Sequence, residues 1–121
     1  MYLTLERLFD LNPQIKWPND VILDDKKICG ILTETQKNKN GDTIIIGIGI
    51  NYSTDLVLFP DDVKETAGSL RSYTKNISKN KYIVELIKTL NDLRTSFTKS
   101  QYFSEYKKKN EFIWKRYINN G

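Results

Sequence analysis

The chain has 121 residues, 39% of them hydrophobic, which is enough for one folded domain with its own core. It contains one cysteine, Cys29, and no histidine, which excludes an internal disulfide, a cysteine-rich zinc site and any Ser-His-Asp or Cys-His catalytic system. No apolar run reaches about 18 residues, and Met1 is not followed by a basic-then-apolar leader. We therefore expect a cytoplasmic protein without a membrane span or a signal peptide.

The charge is distributed unevenly along the chain. Residues 1–70 contain seven Lys/Arg and eleven Asp/Glu (−4), and residues 71–121 contain twelve and four (+8), which together give the net +4. A basic half can bind nucleic acid or an acidic protein surface. A solvated helical surface is the simpler interpretation, so a nucleic-acid partner is not favoured.

The first half has the pattern of a short helix followed by strands. A helix is expected within residues 3–11, ended by Asn12-Pro13. Extended segments are expected at 15–17, 21–23, 27–36 and 43–51. Asn40-Gly41 predicts a hairpin turn between the last two segments. Asp24-Asp25 is interpreted as turn chemistry rather than as a metal site.

The second half changes to helical periodicity. Ser78 is a plausible N-cap for one helix, and a second helix is expected from about Gln101. The apolar stripe predicted for the first of these helices consists of Ile83, Leu86, Ile87, Leu90, Leu93 and Phe97. Apolar positions of the second, also expected to be core, are Tyr102, Phe103, Tyr106, Phe112, Ile113 and Tyr117. The sequence therefore predicts an α+β domain, a mixed or antiparallel sheet with helices packed on one face.

The strand at 43–51 has two very different faces. One face carries isoleucines that we expect in the core: Ile44, Ile46, Ile48 and Ile50. The other carries Gly47 and Gly49, and glycine inside a strand usually marks the close approach of another backbone or a ligand. A helix or aromatic ring packed flat on these glycines would explain them. A bound ligand, with the Asn51 amide at the lip, is the other explanation and the one we favour.

The register of the hairpin decides which residues join this glycine face. Paired residue numbers in an antiparallel hairpin have a constant sum, and we predict a sum of 78, which pairs Lys27 with Asn51, Cys29 with Gly49 and Ile31 with Gly47. A slip by one residue would turn Lys27 to the opposite face. In the predicted register an ammonium and two bare glycines surround a slot suited to an anionic or carbonyl-bearing small molecule. Cys29 is expected to be a small buried filler and not a reactive thiol.

Three blocks of this sequence resemble blocks of the biotin protein ligases in order and spacing. They are Lys16–Asp20 (KWPND), Lys27–Glu34 (KICGILTE) and Ile46–Asn51 (IGIGIN). A weaker similarity is Ala67–Leu70 (AGSL), where that family often has Ala-Thr-Ser-Leu. The resemblance spans nearly the whole chain and implies a class II synthetase-like fold, of which residues 1–121 would be the second half of the catalytic domain.

The resemblance implies an ATP-dependent ligase. Members of the family join biotin to ATP, giving biotinyl-5′-AMP and pyrophosphate, and then transfer biotin to a lysine of a biotin carboxyl carrier domain. Lys27 matches the lysine that contacts the biotin carboxylate and the adenylate phosphate. Asn19 matches a nucleotide contact, and Asp20 matches an acidic group near the phosphates, associated with Mg²⁺. The other positions implied in adenylate binding are Gly30, Gly47, Gly49 and Asn51.

The sequence also departs from the family pattern. The arginine- and glycine-rich GRGRxGR loop, which precedes KWPND in the family, is not found before Lys16, and the small β-barrel that usually follows is not found after the helices. We therefore expect a partial catalytic domain, with a separate N-terminal polypeptide as a potential partner. One alternative is a non-catalytic or split-enzyme binding module. A lipoate ligase is disfavoured, because that related family lacks the KWPND block. The third alternative is a basic nucleic-acid-binding module, whose affinity would fall as the salt concentration rises.

Overall fold

The structure, a computed structural model, describes residues 1–75, 78–96 and 98–119, with side chains to residue 110. Its helices and strands are α1 (Tyr2–Phe9), β1 (Gln14–Lys16), β2 (Asp20–Leu23), β3 (Lys26–Gln36), β4 (Thr43–Ile50), α2 (Lys79–Ser96) and α3 (Lys99–Asn119). The predicted α+β class is confirmed. Within the described ranges, no helix combines the length and apolar character that crossing a membrane requires.

The sheet has four strands in the order β1-β2-β3-β4, and every neighbouring pair is antiparallel. Asp24 and Asp25, with φ of 46° and 63°, form the two-residue turn between β2 and β3, which confirms their interpretation as turn residues. Gly41, with φ of 119°, lies in the predicted turn between β3 and β4. Short hairpins explain why sequence neighbours are also neighbours in the sheet.

The core lies where α1 and the first turn of α2 pack on one face of β2 and β3. One apolar cluster contains three fully buried side chains: Leu5 of α1, Ile28 of β3 and Leu70, which follows β4. Tyr82 of α2 belongs to the same cluster. Burying a large aliphatic side chain contributes about 1.5–3 kcal/mol, so this cluster fixes the proximal half of the sheet, the part nearest α1.

The isoleucine face of β4 is only half covered, which corrects the expectation that all four side chains are core. Ile48 and Ile50 pack against the core cluster. Ile44 and Ile46 are 64% and 53% exposed. The described helices cover only the proximal end of the β3–β4 hairpin, so strand periodicity alone overestimates the core.

The apolar stripe of α2 is likewise only partly buried. The helix begins at Lys79 after Ser78, whose Oγ accepts a hydrogen bond from the Lys81 amide at 3.4 Å, as expected of an N-cap. Its buried residues are Tyr82 and Thr89. Three residues of the predicted stripe are exposed instead: Ile83, Ile87 and Leu90. Phe97 lies outside the described residues.

α3 is present but longer at its start than predicted. It begins at Lys99, two residues before the expected Gln101. Tyr102 and Phe103 are exposed, which corrects their assignment to the core. Tyr106 is only half-buried, and the other predicted core positions, Phe112, Ile113 and Tyr117, lie outside the described side chains.

Candidate functional site

The β3–β4 register differs by one residue from the prediction. Gly30 pairs with Gly49 and Leu32 with Gly47, so paired numbers sum to 79 and not to 78. Cys29 therefore pairs with Ile50, is buried in the core cluster and does not share a face with Gly49. Gly30 and Leu32 take the places on the glycine face that the prediction gave to Cys29 and Ile31.

Lys27 nevertheless lies on the glycine face, because a β-bulge compensates for the slip. Along β2, Val21 pairs with Cys29 but the next residue, Ile22, pairs with Lys27, so Ile28 is an extra residue in β3. Ile28 and Cys29 are both buried in the core. A bulge re-aims the side chain beside it. Here it turns Lys27 away from the core to the side of Gly30.

The backbone at the bulge is held by the loop after β4. The Lys27 amide donates to the Thr66 carbonyl at 2.7 Å, and the Gly68 amide donates to the Lys27 carbonyl at 2.9 Å. Gly68 is required by this packing, since a Cβ there would lie 2.7 Å from the Lys26 Cβ. The weakly matching Ala67–Leu70 segment therefore supports the strand that carries Lys27.

An open cleft of about 520 Å³ lies on the glycine face. Its lining includes six of the seven residues singled out from the sequence: Asn19, Asp20, Lys27, Gly30, Gly47 and Gly49. The β2–β3–β4 meander thus brings together residues that are far apart in the chain. The cleft is the candidate site.

Gly47 and Gly49 are not required by the packing of the described chain. A Cβ at Gly47 would come no closer than 3.7 Å to another atom, and a Cβ at Gly49 no closer than 4.0 Å. Both distances are ordinary van der Waals contacts. No helix or ring from the described ranges packs flat on these two residues, so the ligand interpretation is the one their bare backbone supports.

Lys27 and Asp20 form an ion pair beside these glycines. The distance from Lys27 Nζ to Asp20 Oδ1 is 2.9 Å, and a Cβ at Gly30 would lie 3.5 Å from the same Nζ. The Lys27 side chain is half exposed, so its ammonium is held at the surface of the cleft and still faces solvent. Such a cation can bind a phosphate or carboxylate oxygen.

Asn51 is the predicted site residue that does not line the cleft. It follows β4, where its amide donates to the Ile28 carbonyl at 2.8 Å and its carbonyl accepts from the Leu70 amide at 2.8 Å. Its side-chain amide donates to the Lys27 carbonyl at 3.5 Å. In this structure Asn51 supports the bulge backbone, and its role in ligand binding stays a prediction.

Asn19 and Trp17 lie in the turn that enters β2. The Asn19 carbonyl accepts a hydrogen bond from the Ile31 amide at 2.9 Å, while the residue itself remains exposed at the cleft. Trp17 is 64% exposed, which corrects the expectation that its ring fills the core. The adjacent Trp17–Pro18 peptide is cis.

Sequence reasoning missed one part of the cleft wall. Leu32 is largely exposed, lines the cleft, and its carbonyl is the nearest atom to the position of a Cβ at Gly47. The register error is the reason, since the predicted pairing placed Ile31 there. Alternation from Gly30, once the β3–β4 register with a sum of 79 is known, would have found Leu32.

The residues at Asp20 do not fit a protein-bound Mg²⁺. Its carboxylate already faces an ammonium at 2.9 Å. In the described part of the chain, no group of three or more Asp, Glu, Cys or His side chains is arranged to hold a metal ion. A hard cation needs free oxygen ligands, and here the carboxylate that lines the cleft is shared with Lys27.

Comparison with known proteins agrees with the resemblance seen in the sequence. Residues 8–51 match the family model described as the biotin/lipoate A/B protein ligase family. The bifunctional ligase/repressor BirA of Bacillus subtilis is 43% identical over 67 residues, which are 54% of this chain and 21% of that protein.

Solved structures extend the similarity to the fold. A mutant biotin protein ligase from Aquifex aeolicus in complex with biotin has a TM-score of 0.71 and 28% identity, and the match covers 89% of this chain and 44% of the other. The same organism's ligase in complex with biotin and ATP matches with a TM-score of 0.69 at 24% identity, covering 90% and 46%.

The chain thus spans between about a fifth and a half of the length of these proteins. The part that matches the family model includes the cleft, because residues 8–51 contain every residue named above as lining it. The chain is therefore similar to the biotin protein ligases: residues 8–51 carry the biotin/lipoate A/B protein ligase pattern, and 89% of the chain matches the fold of part of a biotin protein ligase.

Proposed function

We propose that this chain carries the adenylate-binding part of a biotin–protein ligase site. The observation that carries the proposal is the Lys27 ammonium, which lies over Gly30 beside a strip of backbone, at Gly47 and Gly49, that the packing of the described chain leaves bare. The similarity to biotin protein ligases, one of them solved with biotin and another with biotin and ATP, supports these two molecules as substrates.

The proposed reaction has two steps. A biotin carboxylate oxygen attacks the α-phosphorus of ATP, the bond from that phosphorus to the bridging oxygen breaks, and pyrophosphate leaves. The amine of a carrier lysine then attacks the acyl carbon of biotinyl-5′-AMP, loses a proton, and AMP leaves. The acceptor is proposed to be a biotin carboxyl carrier domain, and an ATP-consuming reaction agrees with the expected cytoplasmic location.

Lys27 supplies positive charge where negative charge accumulates in the first step. The ammonium lies at the open side of the cleft, within reach of a phosphate or carboxylate oxygen that rests on the glycines. Positioning and electrostatics account for most catalysis of phosphoryl chemistry. Hence the absence of histidine from the sequence is compatible with this step. Mg²⁺ enters the proposal only as the counter-ion that accompanies ATP, because Asp20 already has Lys27 as its partner.

A second candidate is a binding module that needs another polypeptide to react. The exposed hydrophobic side chains at the distal end of the β3–β4 hairpin favour it: Leu32 and Ile45 on the glycine face, and Ile44 and Ile46 on the opposite face. An exposed apolar patch commonly marks an interaction site. In this version the chain binds the adenylate and a polypeptide bearing the GRGRxGR loop completes the site.

Biotin-dependent release of pyrophosphate from ATP tests both versions. Release by this chain alone supports a complete catalyst. Release only after a polypeptide containing the GRGRxGR loop is added identifies one part of a split catalyst. No release under either condition, together with no binding of biotinyl-5′-AMP, would contradict the proposal.

A further inference from the structure

The ion pair in the cleft is built around Gly30. Asp20, the first residue of β2, pairs directly with Gly30 in the sheet. A Cβ at Gly30 would lie 3.4 Å from Lys27 Cε, 3.5 Å from Lys27 Nζ and 3.7 Å from Asp20 Oδ1. The pair therefore crosses the sheet over the bare backbone of Gly30, on the face that also carries Gly47 and Gly49.

The ion pair is poorly placed to act as a stability element. The exposed fractions of the Lys27 and Asp20 side chains are 50% and 28%. Exposed pairs of this kind contribute about 0.2–1 kcal/mol to folding. The stability of this region comes instead from the buried cluster below the bulge and from the backbone bonds of Lys27 to Thr66 and Gly68.

The pair has a clear effect on where the ammonium lies. A lysine side chain has four rotatable bonds, and ordering it in one conformation costs up to about 2 kcal/mol. The bulge selects the face of the sheet for Lys27, but only a partner can select the rotamer. In the cleft lining, Asp20 is the residue whose carboxylate does so at 2.9 Å.

We propose that Asp20 is a positioning residue, whose carboxylate holds the Lys27 ammonium over Gly30 so that it faces the glycine strip before the ligand arrives. This inference rests on the proposed function for the identity of the ligand, an acyl-adenylate. It replaces the expected role of Asp20 as a magnesium ligand, which the donor set of the described residues does not fit.

The first test asks whether Asp20 holds Lys27 and needs no ligand. In the wild-type chain we expect an NMR cross-peak between the Lys27 Hε and Gly30 Hα protons, because Cε lies 3.4 Å from the position of a Gly30 Cβ. Asp20→Asn keeps the side-chain shape and removes the charge, and should abolish the cross-peak. Asp24→Asn, in the adjoining turn, is the matched control and should retain it. An intact cross-peak in Asp20→Asn would overturn the proposal.

The second test asks whether Asp20 acts through Lys27. We expect Asp20→Asn to weaken binding of biotinyl-5′-AMP at least about threefold in the wild-type background, and not to weaken it in the Lys27→Ala background, where there is no ammonium to hold. Equal weakening in both backgrounds would show a direct contact and overturn the proposal. A dependence of the Asp20→Asn defect on Mg²⁺ concentration would likewise overturn it in favour of metal binding.

The two failures can be told apart. If the wild-type chain binds no biotinyl-5′-AMP, the proposed function fails, whereas the cross-peak still decides whether Asp20 positions Lys27. If binding is normal but the cross-peak survives in Asp20→Asn, the function stands and the positioning role falls.

Discussion

Lys27 shows how a correct conclusion about one residue can follow from an incorrect pairing. The predicted sum of 78 placed it on the glycine face directly. The observed sum of 79 would have turned it away, had Ile28 not been inserted as a bulge opposite β2. Alternation identifies the two faces of a strand, but a bulge depends on the loop at Thr66–Gly68 that packs against it, which is not visible in the local pattern.

Cys29 was predicted correctly as a buried filler but on the wrong face. Burial raises the pKa of its thiol to about 11, from an ordinary value of 9.0. The thiol is therefore neutral near physiological pH, which agrees with a packing role and not with a nucleophile.

This burial predicts a loss of stability at alkaline pH. In the unfolded chain the thiol ionises near pH 9, whereas in the folded chain it holds its proton to about pH 11. The unfolded state then binds fewer protons, so stability present below pH 9 is lost between pH 9 and 11, by up to about 1.4 kcal/mol per pH unit. Denaturant unfolding of wild type and Cys29→Ala from about pH 8 to about pH 10 checks this. We expect the variant to have a lower free energy of unfolding at pH 8, and that free energy to fall less steeply with pH than in wild type. Equal slopes would contradict it.

At the level of the elements, the sequence predicted the order and type of the α-helices and strands in the described residues, but not the 3-10 helices at Leu56–Leu58 and Leu70–Ser72. Turn chemistry did most of this, since Asp24-Asp25 and Asn40-Gly41 separate the strands where hairpins occur. Side-chain burial was less predictable. The isoleucines of β4 and the stripe of α2 have the right periodicity, yet the packing partners that decide which members are covered are distant in the chain.

Two glycines at different places in the fold are predicted to behave differently. Gly68→Ala should destabilise the fold by about 1–3 kcal/mol, because its Cβ would collide with the Lys26 Cβ at 2.7 Å. Gly49→Ala has free space and is expected to change the free energy of unfolding by less than about 0.5 kcal/mol, while its methyl group occupies the surface proposed for the adenylate.

Denaturant unfolding and biotinyl-5′-AMP binding, measured on the same variants, check this pair. We expect Gly49→Ala to fold normally and bind at least about tenfold more weakly, because the added methyl group separates the ligand from the backbone. A stable Gly49→Ala variant with wild-type affinity would show that the bare backbone is not the ligand surface. A Gly68→Ala variant as stable as wild type would contradict the tight packing behind the bulge.

For the whole molecule, the cleft occupies the proximal half of the sheet, and exposed apolar side chains extend along the distal half of the same hairpin. Leu32 belongs to both regions, since it lines the cleft and is largely exposed. A polypeptide that covered the Leu32 and Ile45 side of the distal hairpin would therefore also approach the open side of the cleft. This geometry links the two versions of the proposed function.

Ion pairs between the acidic and basic halves of the chain involve part of the unevenly distributed charge. Lys109, in the basic half, forms an ion pair with Glu6 of α1, so part of the basic charge joins α3 to the acidic half of the chain. A second ion pair, between Arg7 of α1 and Asp92 of α2, joins the same two halves with the opposite polarity. The interpretation of the basic half as a solvated helical surface remains the favoured one.

The affinity of the chain for biotinyl-5′-AMP, measured by calorimetry in wild type, Lys27→Ala and Lys26→Ala, shows whether the Lys27 ammonium binds the ligand. Lys26 is the adjacent lysine, and its ammonium donates to the Glu65 carbonyl outside the cleft. A hydrogen bond to a charged group contributes about 1.5–3 kcal/mol, so Lys27→Ala should weaken binding about 10- to 100-fold and Lys26→Ala less than about twofold. Wild-type affinity in Lys27→Ala, or an equal loss in both variants, would contradict the account.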